Sequence, residues 1–245
     1  VSDPVDFFPR LSVVIPTWNR AALLPAAIAS VRAQAHPALE LIVVDDGSTD
    51  DTAAVLRVRN DVDVVLRRSN GGPAAARNAG IRQARGEWIG FLDSDDLWTP
   101  DALRLHAQAV AEKGVQPIVL GDARFTAVDG SEADPSWIPA VEPPSSGVSA
   151  ERYRYLRQFH LGSALFVRSV FDRIGMLDES LWFHEDREFF QRAELAAVSM
   201  LRHDGIVQVR RIHDHNMTRD TERVMATTPR FLKRALDLRR RKNDE

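Results

Sequence analysis

The stretch Gly90-Phe91-Leu92-Asp93-Ser94-Asp95-Asp96-Leu97-Trp98-Thr99-Pro100 puts three carboxylates within four positions, directly after the apolar run Trp88 to Leu92. Carboxylates this close repel one another, and at the end of a buried strand they raise one another's pKa values unless a cation neutralises them. A divalent metal is the simplest such cation. Carboxylate and water ligands suit Mg²⁺ or Mn²⁺, and Mg²⁺ is commonly held by one or two carboxylates plus substrate phosphates. The chemistry implied is a metal and diphosphate site with protein on one side and ligand on the other. Local capping accounts for less: Thr99 can cap the next helix with Pro100 at its first position, and a cap needs one side chain.

Elements that can position such a cluster alternate along the first half. Leu11 to Pro16, Leu41 to Val44, Val62 to Leu66 and Trp88 to Leu92 read as strands, and 21–34, 50–58, 73–84 and 100–113 as helices. This alternation predicts an α/β fold with a mostly parallel sheet and helices on both faces. Ligands of such sheets sit at the carboxyl ends of the strands. Three polar clusters lie there and should face one another: Thr17-Trp18-Asn19-Arg20, Asp45 to Asp50, and Asp93 to Asp96.

Each cluster also has a purely structural account. In Asp45-Asp46-Gly47-Ser48-Thr49-Asp50, Gly47 suits a turn, and Ser48, Thr49 or Asp50 can cap a helix. Ser69 to Gly80 is glycine-rich, and its Arg77 could face an anion, but it matches neither a P-loop nor a dinucleotide fingerprint. The second half changes character. A Pro-, Ser- and Gly-rich loop spans about 128 to 147, followed by strand or helix at 162–175, a helix at 185–196 and a strand with a loop at 200–215.

The totals bound the rest. The 245 residues are 44% hydrophobic and 27% charged with a net charge of -3, which suits a soluble globular chain and gives no reason to expect a nucleic-acid partner. The absence of cysteine excludes disulfides and thiolate chemistry and suits a cytoplasmic setting. No run approaches the roughly 20 apolar residues of a membrane helix, and the proline-broken N-terminus does not read as a signal peptide.

In this order, "SVVIPTWNR", "LIVVDDGSTDDT", "GGPAAARNAGIRQARGEWIGFLDSDDLWTPDAL" and "GSALFVRSVFDRIGMLDESLWFHEDREFFQR" closely resemble the family-two, inverting, nucleotide-sugar glycosyltransferases with the Rossmann-like GT-A fold, in register from about 11 to 218. The resemblance implies an N-terminal extension (1–10), a nucleotide-sugar-binding half (11–122), an acceptor-binding half with the catalytic base (123–218) and a basic C-terminal helix or tail (219–245). It implies that Pro16, Thr17, Trp18 and Asn19 line the nucleoside pocket with Trp18 stacked on the base. Asp46, beside Asp45, would accept a hydrogen bond from the base, and Arg77 and Ser94 complete the nucleotide set. Asp95 would ligate Mn²⁺ or Mg²⁺, with Asp93 reaching the ribose or metal-bound water and His213, rather than His215, near the metal or diphosphate. Asp96 has no assigned role. Asp186 would be the general base, with Glu185 orienting the site.

The chemistry agrees with that assignment. Cleaving a sugar from a nucleoside diphosphate leaves negative charge that a metal stabilises, while a carboxylate on the opposite face removes the acceptor's proton. The structural alternative for Glu185 and Asp186 is an acidic helix N-terminus favoured by the helix dipole. An acceptor hydroxyl, on a glycan, a lipid-linked carrier or a small molecule, would fall to the 128–160 loop, Gly162, Ser163, Trp182 and Phe183, although these aromatics also suit a core. The tail from Arg230 to Lys242 either packs by one face or lies peripherally on an anionic membrane. Rival functions are a nucleotidyltransferase, which has no use for Asp186, and an inactive nucleotide-sugar or glycan binding protein, against which the intact Asp93, Asp95 and Asp186 argue.

Overall fold

The computed structural model describes residues 4–133 and 159–243. After a short turn of helix α1 (Pro4–Phe7), the chain alternates β1 (Leu11–Thr17), α2 (Leu24–Arg32), β2 (Leu39–Asp45), α3 (Thr52–Arg57), β3 (Val64–Arg67), α4 (Pro73–Gln83) and β4 (Trp88–Phe91). It continues through β5 (Leu97–Trp98), α5 (Ala102–Lys113), β6 (Ile118–Ala127), β7 (Ala164–Val167), α6 (Ser169–Ile174), α7 (Glu185–Leu195), β8 (Met200–Ile212) and α8 (Thr221–Asn243). Among the described residues these strands form one sheet in the order β3-β2-β1-β4-β7-β6-β8-β5.

The first four strands are parallel, and the register pairs Thr17 with Asp45 and Val14 with Phe91, so all three polar clusters emerge at one edge. β7 is antiparallel to both β4 and β6, while β8 is parallel to β6. Strands β1, β2 and β4 are buried on both sides, which is why they read as continuous apolar runs. Leu11, Val13, Ile15, Leu41 and Val43 pack beneath α2 and α5, and Val14, Ile42 and Val44 pack against α4 and the aromatics of α6 and α7. Helix α4 sits directly on β1: a Cβ on Gly80 would fall 2.2 Å from Val14 Cγ1, so this glycine permits the approach that brings Arg77 down to the sheet edge.

The structure departs from the sequence expectations just after the third polar cluster. Leu97–Trp98 form a short strand antiparallel to β8. Thr99 does not cap α5: its hydroxyl donates to the Ile206 carbonyl at 2.9 Å and its amide to Val207, so the helix starts only at Ala102. Residues 134–147 of the expected loop near 128–147, and 134–158 of the 128–160 acceptor segment, lie outside the described residues. The C-terminal helix packs through Phe231, which is buried. No helix among the described residues is long and apolar enough to cross a membrane.

Helix α5 is fastened to β8 by a histidine pair. Gly205 N–H donates to His203 Nδ1 at 3.1 Å, so His203 carries its proton on Nε2 and donates to His106 Nδ1 at 2.9 Å. Both rings are held neutral. Burial lowers the His106 pKa well below its ordinary value, with His203 adding to the effect, and burial also lowers that of His203, which Asp122 opposes. The unfolded chain therefore binds protons below about pH 6.5 that the folded chain refuses, and the stability present above that pH is lost as the pH falls. We expect urea unfolding between pH 7 and 5 to show a shallower acid loss in a His106→Gln/His203→Gln variant, by roughly 1 kcal/mol per pH unit. Parallel acid limbs would exclude the pair as their source.

Candidate active site

At the carboxyl edge, Asn19 adopts a left-handed backbone (φ 52) and its Oδ1 accepts the amides of Thr49, at 2.8 Å, and Asp50, at 3.3 Å. Asn19 N–H donates to Ser48 Oγ, and Ala21 N–H to Asp50 Oδ2. The first two polar clusters are thus tied together, and the Asn19 side chain is committed to that tie. Asp50 caps the Thr52 amide as well. Gly47 is required here, because its φ is +77 and a Cβ would stand 2.8 Å from the Asn70 amide nitrogen.

Asp46 is buried, accepting Gly72 N–H at 2.7 Å and Gly71 N–H at 3.1 Å, with Arg68 Nε at 3.2 Å. Burial raises its pKa overall, against these amides and Arg68. A carboxylate offers about four acceptor positions, so the glycine loop orients Asp46 without exhausting it. Asp45 is buried too, capping Ser48 N–H at 2.9 Å. Pro16 and Ser94 are buried, as is Thr17, whose hydroxyl has no hydrogen-bond partner among the described residues. Trp18 alone of this group is prominently exposed, at 45%, and forms an open aromatic face.

The three acidic residues of the third cluster have three different environments. Asp95 Oδ2 receives Arg20 Nε at 3.1 Å and His213 Nε2 at 3.2 Å. Burial alone would raise the Asp95 pKa, but His213 and Arg20 outweigh it and hold the carboxyl at about 2. His213 Nδ1 accepts the His215 amide, which leaves Nε2 to donate toward Asp95. Asp96 is buried and structural: it accepts Gln208 Nε2 at 2.8 Å and the Arg211 amide at 3.0 Å, both from β8. Burial, and then the charge of Asp95, push its carboxyl up to about 8. Asp93 is the most open of the three, with 39% of its side chain exposed.

Resident arginines therefore supply much of the neutralising charge for which a metal is the simplest source from the sequence alone. Arg20 also donates to the His215 carbonyl at 2.8 Å, and Arg211 donates to the carbonyls of Asp95 and Leu23. The 211–216 turn is sewn across the acidic cluster. Arg20 closes the quoted Thr17 to Arg20 motif, but nothing in the sequence assigns the roles of Arg20 and Gln208, and Arg211, which by sequence could contact phosphate or be surface strand, instead binds backbone carbonyls.

Arg77 is buried and joins the two halves of the chain. Its guanidinium binds Asp93 Oδ1 at 2.5 Å and Glu185 Oε1 at 2.7 Å, so the anions it faces are the protein's own carboxylates. Its pKa is raised by Asp93 and Glu185 against the opposing effect of burial. Burial pushes Glu185 up to about 7 although Arg77 pulls the other way. Asp186, at the first turn of α7, is half-buried. Burial would raise its pKa, but Arg187, His160 and the Arg187 amide at 2.7 Å bring it below the ordinary aspartate value. Adjacent carboxylates are thus driven apart, and Asp186 is the one held ionised.

The acceptor residues named from the sequence fare differently. Gly162 and Ser163 are buried in a 3-10 turn. The Gly162 carbonyl accepts Trp98 Nε1 at 2.9 Å, and a Cβ there would meet Gln208 at 2.5 Å. Phe183 is buried at 7% exposure, so it belongs to the core rather than to a sugar platform. Trp182 is half-buried against Gly72, where an added Cβ would touch its ring at 3.0 Å.

The family model described as glycosyl transferase family 2 matches residues 12–175. The succinoglycan biosynthesis protein ExoO of Rhizobium meliloti is 34% identical over 191 residues, covering 74% of this chain and 55% of that protein, so the chain spans about half of its relative's length. Residues 1–349 of S. aureus TarS in complex with UDP-GlcNAc superpose with a TM-score of 0.68 at 24% identity, over 86% of this chain and 61% of that one. The mannosyltransferase PcManGT of Pyrobaculum calidifontis, in complex with GDP-Man and Mn²⁺, gives a TM-score of 0.69 at 22% identity, over 97% and 66%. With the carboxyl-edge carboxylates and the shared architecture in view, the chain belongs to glycosyl transferase family 2 and carries its GT-A fold.

Proposed function

We propose that the chain is an inverting glycosyltransferase that moves a sugar from a nucleoside diphosphate donor, a UDP-sugar, to an acceptor hydroxyl, with Asp186 as general base and a divalent metal at Asp95. The observation that carries this reading is the Asp93–Arg77–Glu185 bridge, which ties the acidic strand end to the residue next to Asp186 through one guanidinium. UDP-GlcNAc bound to TarS, and GDP-Man with Mn²⁺ bound to PcManGT, support the donor class and the metal.

Among the described residues no group of three or more His, Asp or Glu side chains is placed to hold such an ion alone, so substrate oxygens and water would have to complete its shell. Asp95 offers a carboxylate and His213 an imidazole on the same side of it, a donor set compatible with Mn²⁺ or Mg²⁺ once diphosphate oxygens and water complete the shell. Ligation through His213 Nε2 requires its proton to move, which means releasing Nδ1 from the His215 amide. When bound, the metal offsets the negative charge that develops on the leaving diphosphate. Trp18 would offer its open face to the base, and the Asp93 carboxylate, 39% exposed, would accept from a ribose hydroxyl. The acceptor oxygen forms its bond to the anomeric carbon as the bond to the diphosphate breaks on the opposite face. Its proton passes to the ionised Asp186.

A thermal-shift comparison of UDP-GlcNAc and GDP-Man, each with and without Mn²⁺, tests donor and metal together. A nucleotide at a hundred times its Kd raises the melting temperature of a chain this size by about 5–10 °C. Asp95→Ala should abolish the Mn²⁺-dependent part of that shift. An equal shift with and without Mn²⁺ in the parent protein would refute the metal role, and the absence of any shift would refute the donor class.

A further inference from the structure

Helix α7 begins at the residue pair proposed to do the chemistry, and the residue that turns the chain into it is strained. His184, its N-cap, has a left-handed backbone with φ 67. A non-glycine residue in that region costs on the order of 1 kcal/mol or more and persists only where its surroundings enforce it. The conformation of His184 fixes the direction in which the chain enters α7, and with it where Glu185 and Asp186 stand.

The surroundings that enforce it come from the C-terminal helix. Thr228 Oγ1 donates its proton to the Val224 carbonyl at 2.8 Å and therefore accepts from His184 Nε2 at 3.2 Å. The His184 ring also lies 5.2 Å from that of Phe231, at an interplanar angle of 36°, and Phe231 is buried. Burial, with Arg187 adding to it, holds the His184 ring neutral with a pKa of about 4, which this single-donor arrangement needs. Two arginines of α8 grip the chain on either side. Arg230 donates to the Ser180 carbonyl at 3.0 Å, and Arg234 lies 3.6 Å from Asp178 and 3.5 Å from the fully buried Glu188.

We propose that His184 is a positioning residue for Asp186 and that α8, through Thr228, Phe231, Arg230 and Arg234, is the clamp that keeps the 178–188 segment in place. The C-terminal helix is then a working part of the acceptor side rather than a solvated tail. This inference rests on the reading of Asp186 as base, and its test needs no turnover, so the two can fail separately.

The variants are Thr228→Val, which removes the acceptor at constant shape, Thr228→Ser, which restores it, and His184→Asn, which tolerates the left-handed backbone but lacks the ring. In the 245-residue chain, hydrogen exchange across 178–190 should quicken by roughly tenfold in Thr228→Val and His184→Asn. The Asp186 carboxyl, followed by ¹³C NMR, should titrate at higher pH than in the parent. Thr228→Ser should restore both, while UDP binding in the presence of Mn²⁺ and exchange in β1, β2 and β4 stay at parental values. Unchanged exchange and an unchanged Asp186 titration would overturn the proposal. Loosening spread evenly through the sheet would also overturn it, since that marks α8 as packing alone.

Discussion

Asp186→Asn is expected to lower turnover by about 10²–10⁴-fold, the usual worth of a positioned general base, while nucleotide affinity stays within about twofold. The substitution keeps the side-chain shape and still accepts the Arg187 amide, so what it removes is the capacity to take a proton. The neighbouring carboxylate makes the experiment discriminating. Glu185 has a pKa of about 7, nominally better matched to base chemistry at neutral pH, but it is buried and locked to Arg77 at 2.7 Å. The pH profile separates the two. A base whose pKa lies below the ordinary aspartate value is already ionised at pH 5, so turnover should be flat between pH 5 and 7 if Asp186 does the work. Turnover that falls as the pH drops through about 7 would move the role to Glu185, as would an active Asp186→Asn paired with an inactive Glu185→Gln.

The sequence showed the parts of this site whose causes are local, and the comparisons support the same family. Strands buried on both faces announce themselves as apolar runs, and the polar clusters follow from where those runs stop. The fold class and the edge at which the clusters meet were legible in that way. What was not legible depends on partners far away in sequence. Arg20 meets Asp95 across 75 residues, Gln208 meets Asp96 across 112, and Arg211 meets the Asp95 carbonyl across 116. Those contacts decide which carboxylate stays open at the strand edge and which faces the core. They turn Asp96 into a structural anchor for β8 and give Asp95 a resident guanidinium. The two-residue β5 and the redirected Thr99 hydroxyl have the same origin, since both exist only because β8 arrives beside them. Gly162 has the position of an acceptor residue, but Trp98 and Gln208 close over it, and Phe183 is buried.

Arg77→Met should be the most damaging single change outside the reacting groups. Methionine fills much the same volume, so the loss is electrostatic. Removing one partner of a buried ion pair leaves the other uncompensated and costs about 3–5 kcal/mol. Of the two carboxylates left behind, Asp93 is open enough for water to solvate, while Glu185 is not, and Glu185 should carry most of the penalty. At about 3 kcal/mol the melting temperature falls by about 6–12 °C for a chain of this length. The deficit should shrink as the pH drops from 8 to 5, because the stranded Glu185, its pKa raised further, escapes the penalty by taking up a proton. Adding Glu185→Gln to Arg77→Met should recover a large part of the stability, and a double-mutant cycle should return a coupling of roughly 2–3 kcal/mol. Nucleotide affinity should not recover in the double variant, because Asp93 still lacks the guanidinium that fixes its carboxylate at the crevice. If stability and nucleotide binding returned together, Arg77 would be only a partner for Glu185, and the bridge between strand end and candidate base would have no functional content.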